Sequence, residues 1–478
     1  MRSRGTRPDG RKTRLKGVGT HVSKIKDGRA MSIGRGVPWC YYSWRRYSLV
    51  VSEAPSEKSN RSPFPTDLRP DPPAGLYVHL PFCVAHCPYC DFVVYAGAQA
   101  RGPRARTERL YEAVCHELEL RADALDRRFG SARPELRTLY FGGGTPSLVP
   151  GEWLELLIAT VLRRYGLARD AEVTLEANPG PDERGDLAAF AAAGVNRVSF
   201  GAQSLDAGEL RRLGRRHSPG DVAAAVAGAR AAGIRSVNLD LLYDVPGQSM
   251  ATWEATLRAA LELGPDHLSL YALTLDDPDA EGLTGETGDH LPTPPGARRW
   301  REAARRDQND DRAADQYSLA SEMLAAGGWR GYEISNWARL GHESRHNLTY
   351  WERRPYEAVG PGAHAFDGAV RRWNAAGLEP YVGALLPSEG APVLPPGDRE
   401  LISPETAAAE RTILALRLDR GVPVSLAEEP GSPPATAAAF AWARSAGLLE
   451  AFELAGESRL RLTVRGRLLS NELFARLV

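Results

Sequence analysis

From residue 75 onward, short apolar runs recur at regular spacing, and segments with a helical repeat of apolar positions separate them. The runs lie at residues 76–81, 137–141, 172–176, 197–200, 236–242 and 267–273, and read as strands. The segments at 108–127, 153–165, 186–193, 219–232 and 253–263 space apolar residues three and four apart, the period of a helix with one buried face. Strand and helix alternating about six times predict a parallel sheet with crossover helices, because parallel neighbours need a long return connection. The strands are short and apolar, as buried parallel strands are. The fold expected is α/β, a partial (β/α)6 barrel of TIM type rather than an open doubly wound sheet.

The alternation ends near residue 275. Residues 276–296 are rich in Gly, Pro, Thr and Asp and read as a loop, 299–326 return to helix, and 331–373 concentrate Tyr, Trp, His and Asn. From residue 401 a smaller unit begins: helix 404–416, a Pro-interrupted loop, helix 435–446, a hairpin at 448–463 and a last helix from Arg465. That order reads as a small winged-helix-like domain. Residues 1–70 differ from all of this, being basic with little apolar periodicity and then Pro-rich. Such a segment is expected to be disordered, and translation is expected to start downstream of Met1. The divisions expected are 1–72 for this extension, 73–300 for the barrel, 301–400 for a capping region over it and 401–478 for the C-terminal domain.

Composition adds exclusions. The 478 residues are 43% hydrophobic and 25% charged, an ordinary globular profile, and the formal net charge is zero. That balance lacks the basic footprint of a nucleic-acid binder. Arg459, Arg461, Arg465 and Arg467 in the predicted wing read as structural, and no nucleic-acid partner is expected. No run approaches the ~18 apolar residues of a membrane span, and no apolar secretory segment opens the chain. The five cysteines are Cys40, Cys83, Cys87, Cys90 and Cys115, three of them within eight residues. So few in so long a chain point to metal or cluster ligation in a reducing compartment, and a cytoplasmic protein is expected. Cys115 reads as a small core residue of a helix; Cys40 falls in the extension.

Cys83, Cys87 and Cys90 are spaced C-x3-C-x2-C on the loop after the first strand. Three thiolates can bind three irons of a 4Fe–4S cluster and leave the fourth open. An open iron can chelate the amino and carboxylate groups of S-adenosylmethionine (SAM), whose C–S bond is then cleaved by electron transfer. The alternative is a zinc site, with His79 or His86 as fourth ligand. Gly142-Gly143-Gly144-Thr145-Pro146 follows the second strand, and glycines let a ligand approach the backbone closely. Glu176, Gln203, Arg215 and Asp240 stand at or just beyond later strand ends. A buried acid there is costly unless paired, so several polar groups around one barrel mouth point to a polar ligand.

The cysteine motif resembles the signature of the radical-SAM superfamily. The resemblance implies a 4Fe–4S cluster on Cys83, Cys87 and Cys90, and the SAM amino group at the turn of Gly143, Gly144 and Thr145. It implies that Glu176, Gln203, Arg215 and Asp240 contact the ribose, carboxylate and neighbouring groups of SAM, with Tyr77 close to the cluster. Segments 77–83, 141–147, 175–179, 197–204, 240–248 and 267–274 together resemble the oxygen-independent coproporphyrinogen III oxidase family, over roughly residues 75–475.

One branch of that family decarboxylates coproporphyrinogen III, and another consists of heme chaperones. The decarboxylases usually carry a further Cys two positions after the third cluster Cys, where this chain has Phe92. His346-Asn347-Leu348-Thr349-Tyr350-Trp351 matches the H-N-x-x-Y-W motif of the chaperone branch, and 331–337 and 360–364 are also of that kind. The resemblance therefore implies a chaperone with heme as cargo, respiratory cytochromes at the membrane as acceptors, a reductant for the cluster and a transient membrane association. The decarboxylase is the alternative, and a radical-SAM enzyme with another substrate is a third reading. Imidazole is a common axial ligand of heme iron, so His346 is the candidate, with Tyr350 and Trp351 offering flat apolar surface. The same motif also reads as a packed, hydrogen-bonded wall of the barrel mouth. His364 is a second candidate.

Overall fold

The computed structural model describes residues 69–97, 104–428 and 434–478. The basic extension up to residue 68, with Cys40 and the expected start, lies outside the described residues. Strand β1 (Gly75–Leu80) leads into two short strands of the cysteine loop, β2 (Phe82–Cys83) and β3 (Tyr95–Ala96), which pair with each other. Next come β4 (Leu136–Gly143), β5 (Leu167–Ala177), β6 (Arg197–Gln203), β7 (Ser236–Tyr243) and β8 (His267–Ala272). Helices Arg104–Phe129, Gly151–Tyr165, Leu187–Ala193, Pro219–Ala231 and Met250–Glu262 return the chain between them. Local chemistry sets their starts. Ser218 and Ser249 each close a capping box, and Pro219 occupies the first helical turn, where its missing N–H costs nothing.

The aromatic-rich region joins the same sheet at both edges. β9 (Arg330–Gly331) and β10 (Asn336–Ala338) extend it beyond β8; β11 (Tyr356–Val359), β12 (His364–Phe366), β13 (Val370–Asn374) and β14 (Gly397–Leu401) extend it beyond β1. The strand order is β14-β13-β12-β11-β1-β4-β5-β6-β7-β8-β10-β9. β11 runs parallel to β1, so the curved sheet has a seventh parallel strand where the pattern predicts six. Four residues are too few to show a period, which is why it escapes the sequence. The helix expected over 299–326 is two, Pro295–Arg305 and Asp310–Ala326. They part at Asn309, whose side chain caps the second by accepting from the N–H of Arg312 at 2.9 Å.

The two faces of the parallel strands decide where the site lies. Leu139, Phe141, Leu175, Val198, Phe200, Leu239, Leu241, Leu268 and Leu270 pack outward against Leu157, Val161, Val226, Trp253 and Leu257 of the helices. The alternating positions Tyr140, Glu176, Arg197, Ser199, Asn238, Asp240 and Ser269 line a cavity inside the curve. The strands are therefore not apolar throughout; each has one apolar and one polar face.

Beyond β14 come helix Pro404–Arg417, strand β15 (Val422–Pro423), helices Ser425–Glu428 and Pro434–Ser445, and the ribbon β16 (Leu449–Leu454) and β17 (Glu457–Leu462). Ile413, Leu416, Phe440, Leu460 and Phe474 form a separate core there. Most of the arginines expected in a wing meet acids or carbonyls of their own surroundings: Arg461 meets Glu450 at 2.8 Å, Arg467 meets Asp419 at 2.9 Å, and Arg459 donates to the carbonyl of Gly421 at 2.8 Å. Among the described residues, no helix is long and apolar enough to cross a membrane.

Candidate functional site

The cavity opens at the C-terminal ends of β1 and β4 to β8, and its lining includes Tyr77, Cys83, Cys87, Cys90, Gly143, Gly144, Thr145, Glu176, Gln203, Arg215 and Asp240. Every cluster and SAM position expected from the sequence is brought to this one space. The three thiols are free and partly exposed. Thr145 Oγ1 donates to Cys83 Sγ at 3.4 Å and Arg215 Nη1 to Cys87 Sγ at 3.5 Å. Donors of this kind favour sulfur that carries negative charge. Burial pushes the Cys83 thiol up to about 12, above the lowering effect of Thr145. Among the described residues, no three of His, Cys, Asp and Glu are grouped to hold a single metal ion.

Asn178 joins the two sulfur donors. Its Nδ2 donates to Thr145 Oγ1 at 3.1 Å and to Glu183 Oε1 at 3.2 Å, and its Oδ1 accepts from Arg215. From the other side, Arg301 is buried to 2% exposure and donates to the carbonyls of Pro88 at 3.1 Å, Cys90 at 2.7 Å and Asp276 at 2.6 Å. The helix after the 276–296 loop thus clamps the turn between the second and third cysteines. Neither Asn178 nor Arg301 is singled out by sequence. Asn178 lies two residues after Glu176 in the same strand-end motif, while nothing in the linear pattern around Arg301 signals its role.

The glycine turn is shaped by its packing as well as by what it can offer a ligand. A Cβ on Gly143 would sit 2.7 Å from the His79 ring, and one on Gly144 would sit 2.7 Å from the carbonyl oxygen of Phe82. Close packing on β1 and the cysteine loop demands these glycines, and φ of +118° at Gly143 favours glycine as well. The N–H groups are already committed: Gly143 to Glu176 Oε2 at 3.0 Å, Gly144 to Leu80 O at 2.9 Å, and Thr145 to Phe82 O at 2.8 Å. This turn can therefore meet a ligand through carbonyl oxygens, which suits an ammonium group.

Glu176 also accepts from Tyr140 Oη at 2.7 Å. Burial raises its carboxyl to about 7 despite that hydrogen bond, and nearby Asp240 adds to the rise. Asp240, likewise raised by burial, accepts from Ser199 Oγ at 3.0 Å and Asn238 Nδ2 at 2.8 Å. Gln203 lines the cavity from a bulge in β6 with φ of 64°, a conformation uncommon outside glycine that re-aims a side chain at a site. Arg215 Nε is buried without a partner in the same space. An orphaned guanidinium donor, buried acids and a carbonyl-bearing turn form a donor and acceptor set that fits the amino, carboxylate and ribose groups of SAM.

His346 and Tyr350 line the cavity, and Trp351 does not. His346 Nδ1 lies 2.8 Å from Thr138 Oγ1 and Nε2 lies 2.8 Å from Tyr350 Oη. Burial, with Arg197 nearby, lowers its pKa to about 3, so the imidazole is neutral with both nitrogens engaged. Register places it well below the mouth: Thr138 is opposite Gly75 at the start of β1, while Leu80 at its end is opposite Gly143. The expectation of a wall at the mouth is thus corrected, because the motif forms the floor. Trp351 points away into a cluster with Leu414 and Leu418, under Arg417 at 4.3 Å. Its flat face is occupied by the C-terminal unit and is not offered to the cavity. His364 is outside the lining too; its Nε2 meets the buried Asp289 at 2.9 Å and its ring stacks on Trp373 at 5.8 Å. His79, set aside in the sequence as a zinc candidate, is a β1 residue whose Nε2–H donates to Val93 O at 2.9 Å. Its Nδ1 therefore accepts from Tyr77 Oη at 3.0 Å.

The Radical SAM superfamily model matches residues 77–260. The chain is 38% identical over 423 residues to the heme chaperone HemW of Mycobacterium tuberculosis, covering 88% of this chain and 98% of that protein. It is 37% identical over 293 residues to the heme chaperone HemW of Escherichia coli, covering 61% of this chain and 70% of that protein. The solved structure of coproporphyrinogen III oxidase HemN from Escherichia coli, a radical SAM enzyme, superposes with a TM-score of 0.65 at 21% identity, over 86% of this chain and 91% of that one. At that identity the likeness shows the fold alone, and it is the partial barrel described above.

Proposed function

The chain belongs to the HemW family of heme chaperones within the radical SAM superfamily, and from that premise we propose that it binds heme and delivers it to respiratory cytochromes. The observation that carries this reading is the alignment with a heme chaperone over nearly that protein's whole length. Phe92, standing where the decarboxylase branch has a cysteine, supports it.

Cys83, Cys87 and Cys90 would hold a 4Fe–4S cluster, and Glu176, Gln203, Arg215 and Asp240 would hold SAM. When bound, the cluster supplies an iron with an open position and a one-electron couple. The chain's own part is to set that site rigidly. Arg301 holds the Cys87–Cys90 turn by its carbonyls, Asn178 aligns Thr145 and Arg215 on two sulfurs, and Glu176 ties the glycine turn to β5. Tyr77 and His79, hydrogen-bonded to each other, line the same cavity.

Heme would enter the cavity toward His346 and Tyr350, with Trp351 supporting that helix from behind. Ligation by His346 would require one of its hydroxyl partners to let go, Thr138 at Nδ1 or Tyr350 at Nε2. Delivery to respiratory cytochromes requires the loaded chain to meet the membrane from the cytoplasm, transiently, and an external reductant to charge the cluster. The test uses anaerobically reconstituted protein. Stoichiometric heme uptake that is lost in His346→Ala, with no protoporphyrinogen formed from coproporphyrinogen III, SAM and a reductant, is the expected result. Turnover of coproporphyrinogen III without stable heme uptake would make the chain a decarboxylase.

A further inference from the structure

Arg197 opens β6, lines the cavity and is 3% exposed, yet its side chain makes no hydrogen bond or ion pair among the described residues. Thr174, its neighbour across the β5–β6 register, is in the same condition, with Oγ1 buried and unpartnered. The acids around them are already served. Glu172 accepts from the N–H groups of Arg345 and His346, each at 3.0 Å. Asp240 accepts from Ser199 and Asn238, and Glu176 from Tyr140 and Gly143. One guanidinium thus remains on the cavity wall without a hydrogen-bond acceptor, with only the through-space charge of Glu172 and Asp240 to stabilise it; Thr174 is buried beside it, outside the lining. Nearby carboxylates offset the charge, but buried N–H donors left without an acceptor still cost free energy. The guanidinium fork matches one class of ligand best, a planar carboxylate.

We propose that Arg197 anchors a carboxylate of the bound cargo, and that the carboxylate is a porphyrin propionate. The inference rests on the heme-binding reading above. Flat surface lies next to the cation, since Tyr140 lines the same space and stacks on His346 at 4.9 Å and on Tyr77 at 6.0 Å. A ring bearing propionates presents the matching pair of an apolar plane and an anion. Glu176 is drawn toward its neutral form near pH 7, by burial first, so the interior does not oppose an incoming carboxylate with three full charges.

The test is an equilibrium titration of the full chain with hemin and with hemin dimethyl ester, whose propionates are both esterified. The unaltered chain is expected to bind the free acid about tenfold more tightly. Arg197→Gln is expected to lose that preference while binding the ester as before. Equal affinity of the unaltered chain for both compounds, or a preference that survives in Arg197→Gln, overturns the anchor and leaves the heme-carrier reading standing. Binding of neither compound overturns the carrier reading and the anchor with it.

Discussion

The mouth and the floor of the cavity are built on the same strands in opposite ways. At the mouth, each group that meets a cysteine is held by another: Thr145 and Arg215 by Asn178, and the Cys87–Cys90 turn by Arg301. At the floor, His346 is fixed between two hydroxyls while Arg197 has no hydrogen-bond partner among the described residues. A resident cofactor gains from a cradle that is rigid before it arrives, because little ordering then remains to be done on binding. A cargo site must also let go, and a floor with one unsatisfied cation and one exchangeable hydrogen bond can change partners.

The comparison breaks most severely if the mouth is not a cluster site. Replacing Cys83, Cys87 and Cys90 together by Ser is expected to abolish bound iron and the broad cluster absorbance. Retention of the full iron content would remove these residues as ligands.

A smaller effect sharpens the boundary between the regions, at Glu176. Its carboxyl is raised from 4.5 to about 7, mainly by burial. Its folded value therefore lies above its unfolded one, and the folded state holds the extra proton. The associated stability is complete below pH 4.5 and is lost as pH rises through about 7. A ribose hydroxyl donates best to the ionised form, so SAM affinity is expected to rise over the window in which stability falls. Glu176→Gln should flatten both curves, measured by thermal melts and SAM titration; a SAM curve unchanged by that substitution would take Glu176 out of the site.

The smallest effect lies behind the floor. Trp351→Phe removes part of the surface under Arg417, and a loss of about 1 kcal/mol in stability is expected, of the order of a cation–π contact. Heme uptake should stay intact; its loss in a folded Trp351→Phe chain would return Trp351 to the heme site.

The linear pattern determined the layout of strands and crossover helices, and it picked out the three cysteines and the strand-end residues that the structure brings to one cavity. Those signals are local, since a period, a spacing and a strand terminus can each be read within a few residues. The same strands also carry a polar period of two, through Thr138 and Tyr140, Arg197 and Ser199, and Asn238 and Asp240. That alternation was open to reading but hidden beneath the apolar runs, and it is what makes the interior a polar cavity. Tertiary structure alone decided the rest. β11 finds β1 across more than 270 residues of chain, and Arg301 reaches Cys90 over 211. Trp351 turns to Arg417 although its motif neighbours face the cavity. The physical reason is common to all three. Which face of a short element is buried depends on what packs against it, and the packing partner lies too far along the chain for any local pattern to name it.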